Sequence, residues 1–368
     1  MKEKEKAAVL VSSAPTGEKQ PLKNTNNKII TDSLKQCNLQ ATNNNDLQTV
    51  SMTELYDTAY PPKLPIIDGL LYNGTYLFVG SPKIGKSFFM AQLGYHVSMG
   101  LPLWGYQVRQ GTVLYLALED DYARIQSRLS KMFDVESSDN LYFATKSKTL
   151  NTGLEQQLNS FVAEHKDVNL IIIDTLQRIK EIGGEKFSYA NDYEIVTKLK
   201  AFSDTHNICL LLVHHTRKMD SNDSFDMISG TNGLLGAADG AFVLQKEKRT
   251  DNKAKLEISG RDQQDLKMSL TFNRKKCVWE LNAIETEVWK EPDDPLLEVI
   301  ANIIKNQAEW KGTASELVKI LDLDIQPNVL TRKLNINTVR LYDRYKICYE
   351  NSRGHSGRTI KFTIIKNN

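Results

Sequence analysis

The sequence contains little cysteine and no long apolar segment, and both absences restrict the classes of protein to which the chain can belong. The four cysteines among 368 residues lie far apart, at Cys37, Cys209, Cys277 and Cys348. No two of them form a CxxC pair, which argues against a zinc knuckle or a disulfide framework and fits a reducing compartment. No apolar run approaches the roughly 18 residues that a membrane helix needs. We therefore expect a cytoplasmic protein without a membrane partner.

The chain also lacks a strong net charge. Lys and Arg number 47, Asp and Glu number 45, and the formal net charge is +2. A balance this close to neutrality indicates no particular partner, so any basic surface must be local. Hydrophobic residues make up 40% and charged residues 25%, which is ordinary for a soluble globular protein.

Three regions differ in composition. Residues 1–50 are rich in Asn, Lys, Gln and Thr with few aromatics, so we expect a disordered tail. Residues 51–292 alternate short apolar runs with longer helix-like segments, which is typical of a buried parallel sheet with helices on both faces. After the polar stretch "WKEPDDP", residues 293–368 predict three helices and a hairpin, the order of a winged-helix domain.

One motif connects an apolar strand to an apolar helix. "GSPKIGKS" matches G-x-x-x-x-G-K-[ST], in which the glycines let backbone N–H groups point at phosphate oxygens and the helix N-terminus adds partial positive charge. We expect Lys86 to reach the β- and γ-phosphates of ATP and Ser87 to bind Mg²⁺. The predicted nucleotide-binding residues are Gly80, Ser81, Pro82, Lys83, Ile84, Gly85, Lys86, Ser87 and Phe88.

Acidic residues follow two further apolar strands. "LIIID" ends in Asp174, which we expect to hold the water shell of Mg²⁺, although an acid here could instead cap a helix. "VLYLALEDD" ends in Glu119, Asp120 and Asp121. A carboxylate at a strand tip beside the nucleotide can orient and deprotonate water, so Glu119 is the predicted catalytic base. Asp120 and Asp121 are alternatives, and either could instead cap the next helix.

A basic and polar cluster, "HHTRK", follows the apolar run "LLLV". It is predicted at the end of the sheet where α/β proteins bind their ligands. His215 is the member that we expect to contact the γ-phosphate or a nearby water and to report hydrolysis to the following loop.

Together the segments "GSPKIGKS", "LALEDD", "LIIIDTL" and "LLVHHTRK" resemble, in their order, the motifs of RecA-like ATPases. They look most like the plasmid RepA-like hexameric helicases and their relatives on mobile elements, over roughly residues 65–275. The resemblance implies an α/β fold with a RecA-like P-loop core and a central, mainly parallel sheet. It also implies a Mg²⁺-dependent ATP hydrolase with Glu119 as base, Asp174 at the metal and His215 as sensor.

The same resemblance implies a homo-oligomeric ring, a hexamer, in which a cation from one subunit completes the neighbour's site. Arg261 in "EISGRDQQ" is the predicted finger because it ends a hairpin strand after the core. The alternative is a surface arginine paired with Asp262 or Asp265, and Arg217 and Lys218 compete for the role.

Two glycine-bearing loops could contact single-stranded DNA in the central channel of such a ring. They are "IGGEKFSYAND", at residues 182–192, and "DSNDSFDMISGTNG", at residues 220–233. The second is acidic at its start, which is unfavourable for phosphate contact, so it could instead be an element that becomes ordered when nucleotide or DNA binds.

The C-terminal region has a local excess of positive charge. Residues 325–368 contain nine Lys or Arg against two acids, a balance of +7. If residues 327–345 form one helix, three of the basic side chains share a face that could enter the major groove, with the wing on the backbone. The segment "NINT" favours a break, and the alternative role is a basic face for subunit contacts. The predicted DNA contacts are Lys333, Arg340, Arg344, Arg353 and Arg358.

These observations predict an ATP-driven DNA helicase or translocase that acts in replication of a plasmid or mobile element. Single-stranded DNA would pass through the ring, and duplex DNA would bind the C-terminal domain. The alternatives are a non-unwinding RecA-like recombination or repair ATPase and a DNA-binding regulator that uses ATP as an assembly switch. Strand release from a forked duplex distinguishes the first from the others.

Overall fold

The chain divides into two units. One unit is Lys63–Pro292, and the other combines Met1–Pro62 with Asp293–Asn368. The computed structural model describes residues 49–60, 62, 64–180, 189–216, 224–228, 232–246, 248, 250–261, 263–286, 292–305, 307, 309–354 and 357–365. Nearly all of the predicted tail therefore lies outside the described residues.

The described strands are distributed over both units. In chain order they are β1 (Pro65–Ile67), β2 (Leu71–Tyr72), β3 (Gly74–Gly80), β4 (Thr112–Ala117), β5 (Leu141–Ala144), β6 (Val168–Asp174), β7 (Cys209–His214), β8 (Gly240–Gln245), β9 (Lys253–Gly260), β10 (Gln263–Asn273), β11 (Val278–Ile284), β12 (Glu309–Gly312), β13 (Ile347–Gly354) and β14 (Gly357–Ile364).

The described helices are mostly short. They are α1 (Met52–Asp57), α2 (Lys86–Met99), α3 (Tyr122–Phe133), α4 (Leu154–Glu164), α5 (Leu176–Ile179), α6 (Tyr189–His206), α7 (Asn232–Ala237), α8 (Pro295–Lys305), α9 (Ala314–Ile320), α10 (Pro327–Ile336) and α11 (Thr338–Tyr345). A 3-10 turn spans Phe225–Met227. Within the described ranges, no helix is both long enough and apolar enough to cross a membrane.

A mixed sheet forms the centre of the larger unit. Among the described residues it has nine strands in the order β11-β10-β9-β8-β3-β7-β6-β4-β5. The strands from β8 to β5 are parallel, and β9, β10 and β11 extend the sheet as antiparallel strands. The predicted central, mainly parallel sheet is therefore confirmed.

The central strands are buried on both faces. Every residue of β3, β6 and β7 is buried, which explains why their sequences are apolar without alternation. On one face Phe78 packs with Phe89 of α2, and on the other Leu77 and Val79 belong to the cluster that contains Leu199 of α6. Helices on both faces thus fix the sheet from either side.

The parallel register brings the ends of the motif-bearing strands to one edge. Val79 pairs with His214, Asp174 pairs with Val213, and Ala117 pairs with Asp174. The loops that follow β3, β4, β6 and β7 therefore leave the sheet side by side. This edge is where the predicted site residues meet.

The smaller unit contains α8 to α11 and a three-stranded sheet in the order β12-β14-β13. Its core includes Leu297, Ile300, Leu330 and Phe362, all nearly inaccessible to solvent. The segment from residue 327 to 345 is two helices, α10 and α11, because Asn337 between them has a non-helical backbone, with φ −105° and ψ 18°. The break lies in "NINT", as the weak helix propensity of that segment suggested.

Helix α1 belongs to the smaller unit, whereas the division from sequence placed it with residues 51–292. Ala59 packs against the core of the smaller unit. The amide of Asn335 donates to the carbonyl oxygen of Tyr56 at 2.8 Å, and the Thr338 hydroxyl donates to that of Tyr60 at 2.9 Å. The first of these contacts joins residues 279 positions apart, so local composition could not indicate it.

Candidate active site

The phosphate loop begins at the last residue of β3 and ends at the first turn of α2. Gly85 has φ +108°, a conformation that favours glycine. A side chain at Gly80 would put a Cβ 2.8 Å from the carbonyl oxygen of Leu244. Both glycines of the motif are thus required by the backbone itself. Between them, residues 81–83 are exposed and Ile84 is buried.

Lys86 is a buried cation whose ammonium group lies against the loop. Its Nζ donates to the carbonyl oxygens of Gly80, at 2.7 Å, and Ser81, at 3.1 Å, and lies 3.1 Å from Nδ1 of His215. Burial lowers the pKa of Lys86 to about 8, against the opposing effect of the nearby carboxylates. A phosphate anion beside this group would favour its charged form.

Ser87, in the first turn of α2, and Asp174, at the end of β6, place two potential metal-binding oxygen atoms side by side. The Ser87 hydroxyl donates to Oδ2 of Asp174 at 2.8 Å, and the Tyr115 hydroxyl donates to the same oxygen at 2.8 Å. Burial raises the pKa of Asp174, while these two hydrogen bonds act in the opposite direction. In the described residues no cluster of three or more His, Cys, Asp or Glu is placed to hold a metal. One carboxylate and one hydroxyl nevertheless fit Mg²⁺, which takes its other ligands from phosphates and water.

The three acids after β4 have different surroundings. Glu119 accepts a hydrogen bond from the Thr175 hydroxyl at 3.3 Å and lies 3.5 Å from Nε of Arg178, so it contacts the chain where β6 ends. Asp120 forms ion pairs with arginines of α3. Asp121 caps that helix, because its side chain accepts from a backbone N–H of the first turn at 2.8 Å. The geometry favours Glu119 as the acid available to a ligand.

His215, the first residue after β7, contacts the ammonium group of Lys86 through its imidazole ring. Burial lowers the pKa of His215, and the Lys86 charge lowers it further, so the imidazole is neutral near pH 7. The next residue, Thr216, is 3.2 Å from Ser81, measured between the side-chain oxygens. The loop after β7 is thereby joined to the phosphate loop. Arg217 and Lys218 lie outside the described residues.

Aromatic side chains support the loop from the antiparallel strands. The Phe88 ring lies 5.4 Å from the Phe272 ring, and the Arg128 guanidinium lies 5.1 Å from the centre of the Phe88 ring. Phe88, predicted to bind nucleotide, is therefore beside the loop and half-buried.

Trp279 of β11 is a residue of this site that sequence reasoning missed. Its indole N–H donates to the carbonyl oxygen of Gly85 at 3.2 Å, and its ring would be 3.0 Å from a Cβ at Gly85. Its backbone exchanges two hydrogen bonds with the side-chain amide of Gln92 on α2, and its carbonyl accepts from the indole of Trp104. The sequence signal was a single tryptophan in "CVWELNAI", beyond the predicted hairpin strands. Trp279 fixes the glycine at which the phosphate loop turns into α2.

Arg261 lies at the opposite edge of the sheet. It follows β9, whose last residue pairs with Gly240 at the start of β8, whereas Leu244 pairs with Gly80 of the phosphate loop. Four strand residues separate the two edges, a distance of about 13 Å. Arg261 is thus remote from the phosphate loop of its own chain.

The surroundings of Arg261 differ from the pairing considered from sequence. The guanidinium donates to the carbonyl oxygen of Gly236 at 2.8 Å and lies 3.9 Å from Oδ1 of the buried Asp239. The side chain is 58% exposed. Asp262, one of the two partners considered from sequence, lies outside the described residues. The position leaves the guanidinium accessible from solvent.

The predicted DNA contacts of the smaller unit are only partly available to solvent. Lys333 is exposed. Arg340, Arg344 and Arg358 form ion pairs with Asp294, Asp293 and Asp57, respectively. The side chain of Arg353 lies outside the described residues. So does most of both candidate channel loops, apart from residues 189–192, 224–228 and 232–233.

The sequence of the larger unit is similar to that of a known protein family. The family model described as an AAA domain matches residues 42–221, a segment that contains the phosphate loop, Glu119, Asp174 and His215. The larger unit has the α/β fold of a RecA-like P-loop NTPase core. The order of the motifs, the order of the strands and the AAA-domain match all indicate it.

Curated relatives match part of the chain. The DNA repair protein RadA of Streptococcus pneumoniae is 28% identical over 152 residues, which are 41% of this chain and 32% of RadA. RadA of Streptococcus pyogenes serotype M6 is 26% identical over 152 residues, 41% of this chain and 29% of that protein. The matched segment is therefore less than a third of either relative.

Solved structures with a similar fold include a helicase and an archaeal protein. One is a DnaB-like replicative helicase, described together with its interactions with primase. Its TM-score is 0.48 at 13% identity, and the match covers 69% of this chain and 71% of that one. A KaiC-like protein from the hyperthermophilic archaeon Pyrococcus horikoshii has a TM-score of 0.44 at 14% identity, covering 61% of this chain and 99% of that one.

Proposed function

We propose that the protein is an ATP-driven DNA helicase or translocase of the plasmid RepA-like type. It would act in the cytoplasm, in replication of a plasmid or mobile element. The observation that carries the proposal is the convergence of Lys86, Ser87, Asp174, Glu119 and His215 on one edge of the parallel sheet. This is the set of groups that phosphoryl transfer to water requires.

Each group has a defined task in that chemistry. Lys86 would leave the carbonyl oxygens of the loop and donate to phosphate oxygens. Ser87 and Asp174 would hold Mg²⁺, which neutralises charge on the phosphates when bound. Glu119 would orient the attacking water and accept its proton. His215, neutral and in contact with Lys86, would sense the change at the γ-phosphate.

A ring, proposed as a hexamer, completes the site. Arg261 is exposed at the far edge of the sheet, so it is available to a neighbouring subunit but not to its own phosphate loop. A cation that reaches the γ-phosphate only when subunits meet would make hydrolysis depend on ring geometry. Single-stranded DNA would be moved through the channel by the loops after β6 and β7.

The smaller unit is proposed to be a winged-helix domain that binds duplex DNA. Its order of elements, from α8 and β12 through three helices to the β13–β14 hairpin, supports this. The exposed Lys333 on α10 supports it as well. Base contacts would come from α10 and α11, and backbone contacts from the hairpin.

The proposal is tested with purified protein, Mg·ATP and a forked DNA duplex. Wild-type protein should release single strands, and Lys86→Ala should abolish release. Lys131→Ala, which removes an exposed lysine from α3, should unwind like wild type. The helicase proposal fails if wild-type protein hydrolyses ATP at a rate indifferent to added DNA and releases no strand.

A non-unwinding DNA-repair ATPase is the second candidate, and the match to RadA favours it. In that case single-stranded DNA should stimulate ATP turnover without strand release from the fork. An ATPase that only switches assembly would show nucleotide-dependent oligomer formation with turnover that DNA does not stimulate.

A further inference from the structure

Arginines of the smaller unit are paired with carboxylates from the two chain segments that lead to the ATPase unit. On the segment before that unit, Asp57 contacts two guanidinium groups. Nε of Arg332 lies 2.8 Å from its Oδ1, and the guanidinium of Arg358 lies 3.7 Å from its Oδ2.

The segment after the ATPase unit carries the other acids. Arg340 lies 3.9 Å from Oδ2 of Asp294, and Arg344 contacts Asp293. Four arginines are thus paired with three aspartates. The four, called the arginine surface below, are Arg332, Arg340, Arg344 and Arg358.

The acids occupy particular places in the chain. Asp57 ends α1, a few residues before the larger unit starts at Lys63, and Asp293 and Asp294 directly follow the end of that unit at Pro292. The arginines, by contrast, belong to α10, α11 and β14. Ion pairs are therefore among the contacts that join both segments to the rest of the smaller unit.

The pairs leave an excess of positive charge. Asp57 is shared by two guanidinium groups, so four cations face three anions, and the exposed Lys333 adds a fifth cation on α10. The side chains of Arg332, Arg344 and Arg358 are 41%, 38% and 36% exposed. Solvent screens ion pairs at such exposure, so they hold their partners weakly.

A phosphodiester backbone is a better partner for these groups than an isolated carboxylate. Guanidinium groups bind phosphate oxygens with paired, charge-assisted hydrogen bonds, and each phosphate neutralised releases counterions from the duplex. Several phosphates along one duplex can engage several arginines at once. The phosphates of a duplex can therefore compete with the three carboxylates for these arginines.

We propose that the arginine surface binds the backbone of duplex DNA and that Asp57, Asp293 and Asp294 cover it until DNA displaces them. This inference rests on the proposed DNA binding by the smaller unit and adds the groups that make the contact and the chain's own competitor for them.

The test measures duplex affinity of the full-length chain by fluorescence anisotropy at two salt concentrations. The triple variant Asp57→Asn, Asp293→Asn, Asp294→Asn keeps side-chain shape and removes the competing charges. It should bind a labelled duplex more tightly by about fivefold to tenfold, with the gain shrinking at high salt. Adding Arg332→Gln and Arg358→Gln to the triple variant should reverse the gain.

A matched control separates a local effect from a change in net charge. The control variant Glu298→Gln, Asp322→Asn, Asp324→Asn removes three negative charges from exposed or half-buried positions of the same unit. Its affinity should rise less than twofold, because these acids do not contact the arginine surface. Circular dichroism and thermal melting of each variant check that the unit remains folded.

The outcomes separate this inference from the proposed function. If wild-type protein binds duplex and Lys333→Glu weakens binding, but the triple variant binds no more tightly than the control variant, the pairs are structural and the inference is wrong. If neither wild type nor the triple variant binds duplex at low salt, DNA binding by the smaller unit and this inference fail together.

Discussion

ATP affinity should fall about tenfold between pH 7 and pH 9 because the pKa of the buried Lys86 ammonium is about 8. Bound phosphate raises the pKa of this group by placing an anion beside it. The complex therefore holds the proton more tightly than the free protein does. Affinity is nearly complete at pH 7 and is lost as the pH rises through 8, because protonation of Lys86 then has to accompany binding.

The size of the effect follows from the fraction of protein in which Lys86 is already charged. With a pKa of about 8, roughly nine-tenths of the molecules carry the charge at pH 7 and roughly one-tenth at pH 9. The terminal phosphate of the nucleotide does not contribute in this range, since the second pKa of a phosphate monoester is about 6.

The assay is isothermal titration of a non-hydrolysable ATP analogue with Mg²⁺ at half-unit steps from about pH 7 to pH 9.5, which brackets the Lys86 pKa. Lys86→Arg provides the control because a guanidinium stays charged throughout, with a pKa above about 12. Its affinity should be flat with pH even if it is weaker. A wild-type curve as flat as that of Lys86→Arg would refute the assignment of Lys86 as a buried, partly deprotonated phosphate ligand.

Three further predictions concern residues around this group. Trp279→Phe keeps an aromatic ring but loses the hydrogen bond to Gly85, which is worth about 1 kcal/mol. Nucleotide affinity should therefore fall about fivefold. If affinity is unchanged and only the melting temperature falls, Trp279 has a packing role alone. Glu119→Gln should lower kcat by about 10²-fold to 10⁴-fold with little change in nucleotide affinity, and single-turnover hydrolysis compared with binding checks this. Arg261→Ala subunits mixed with wild type should inhibit turnover by more than their share; a strictly proportional loss of ATP hydrolysis would rule out action between subunits.

The sequence was sufficient to predict those parts of the candidate site that lie in contiguous motifs. The apolar runs before Gly80, Glu119, Asp174 and His215 indicated parallel buried strands, and parallel strands bring their carboxyl ends to one edge. The convergence of these residues is thus a consequence of strand direction, which the pattern of apolar residues contains.

Contacts between distant segments could not be predicted in the same way. Trp279 reaches Gly85 across 194 residues, and its orientation depends on the antiparallel register of β10 and β11, in which Trp279 pairs with Phe272. A one-residue change of register reverses the face on which a side chain lies. The register of this hairpin is set by the length of its turn, which has no signature in the apolar pattern.

The pairing of arginines in the smaller unit was missed for a related reason. A count of charges over residues 325–368 gave a strongly basic module, but the count did not include Asp57, Asp293 and Asp294, which lie outside that window and contact it. Local charge balance describes a surface only when the chain neighbours are also the spatial neighbours.

Because α1 contacts α10 of the smaller unit, the larger unit is inserted, in sequence, within the smaller one. During synthesis, Asp57 is made 275 residues before Arg332, so their ion pair can form only after the larger unit has been synthesised. A protease cut near residue 62 should therefore leave the severed N-terminal piece attached. Shortening the protein at residue 293 removes the core against which Ala59 packs and the hydrogen-bond donors to Tyr56 and Tyr60, so α1 would lose its contacts in such a fragment.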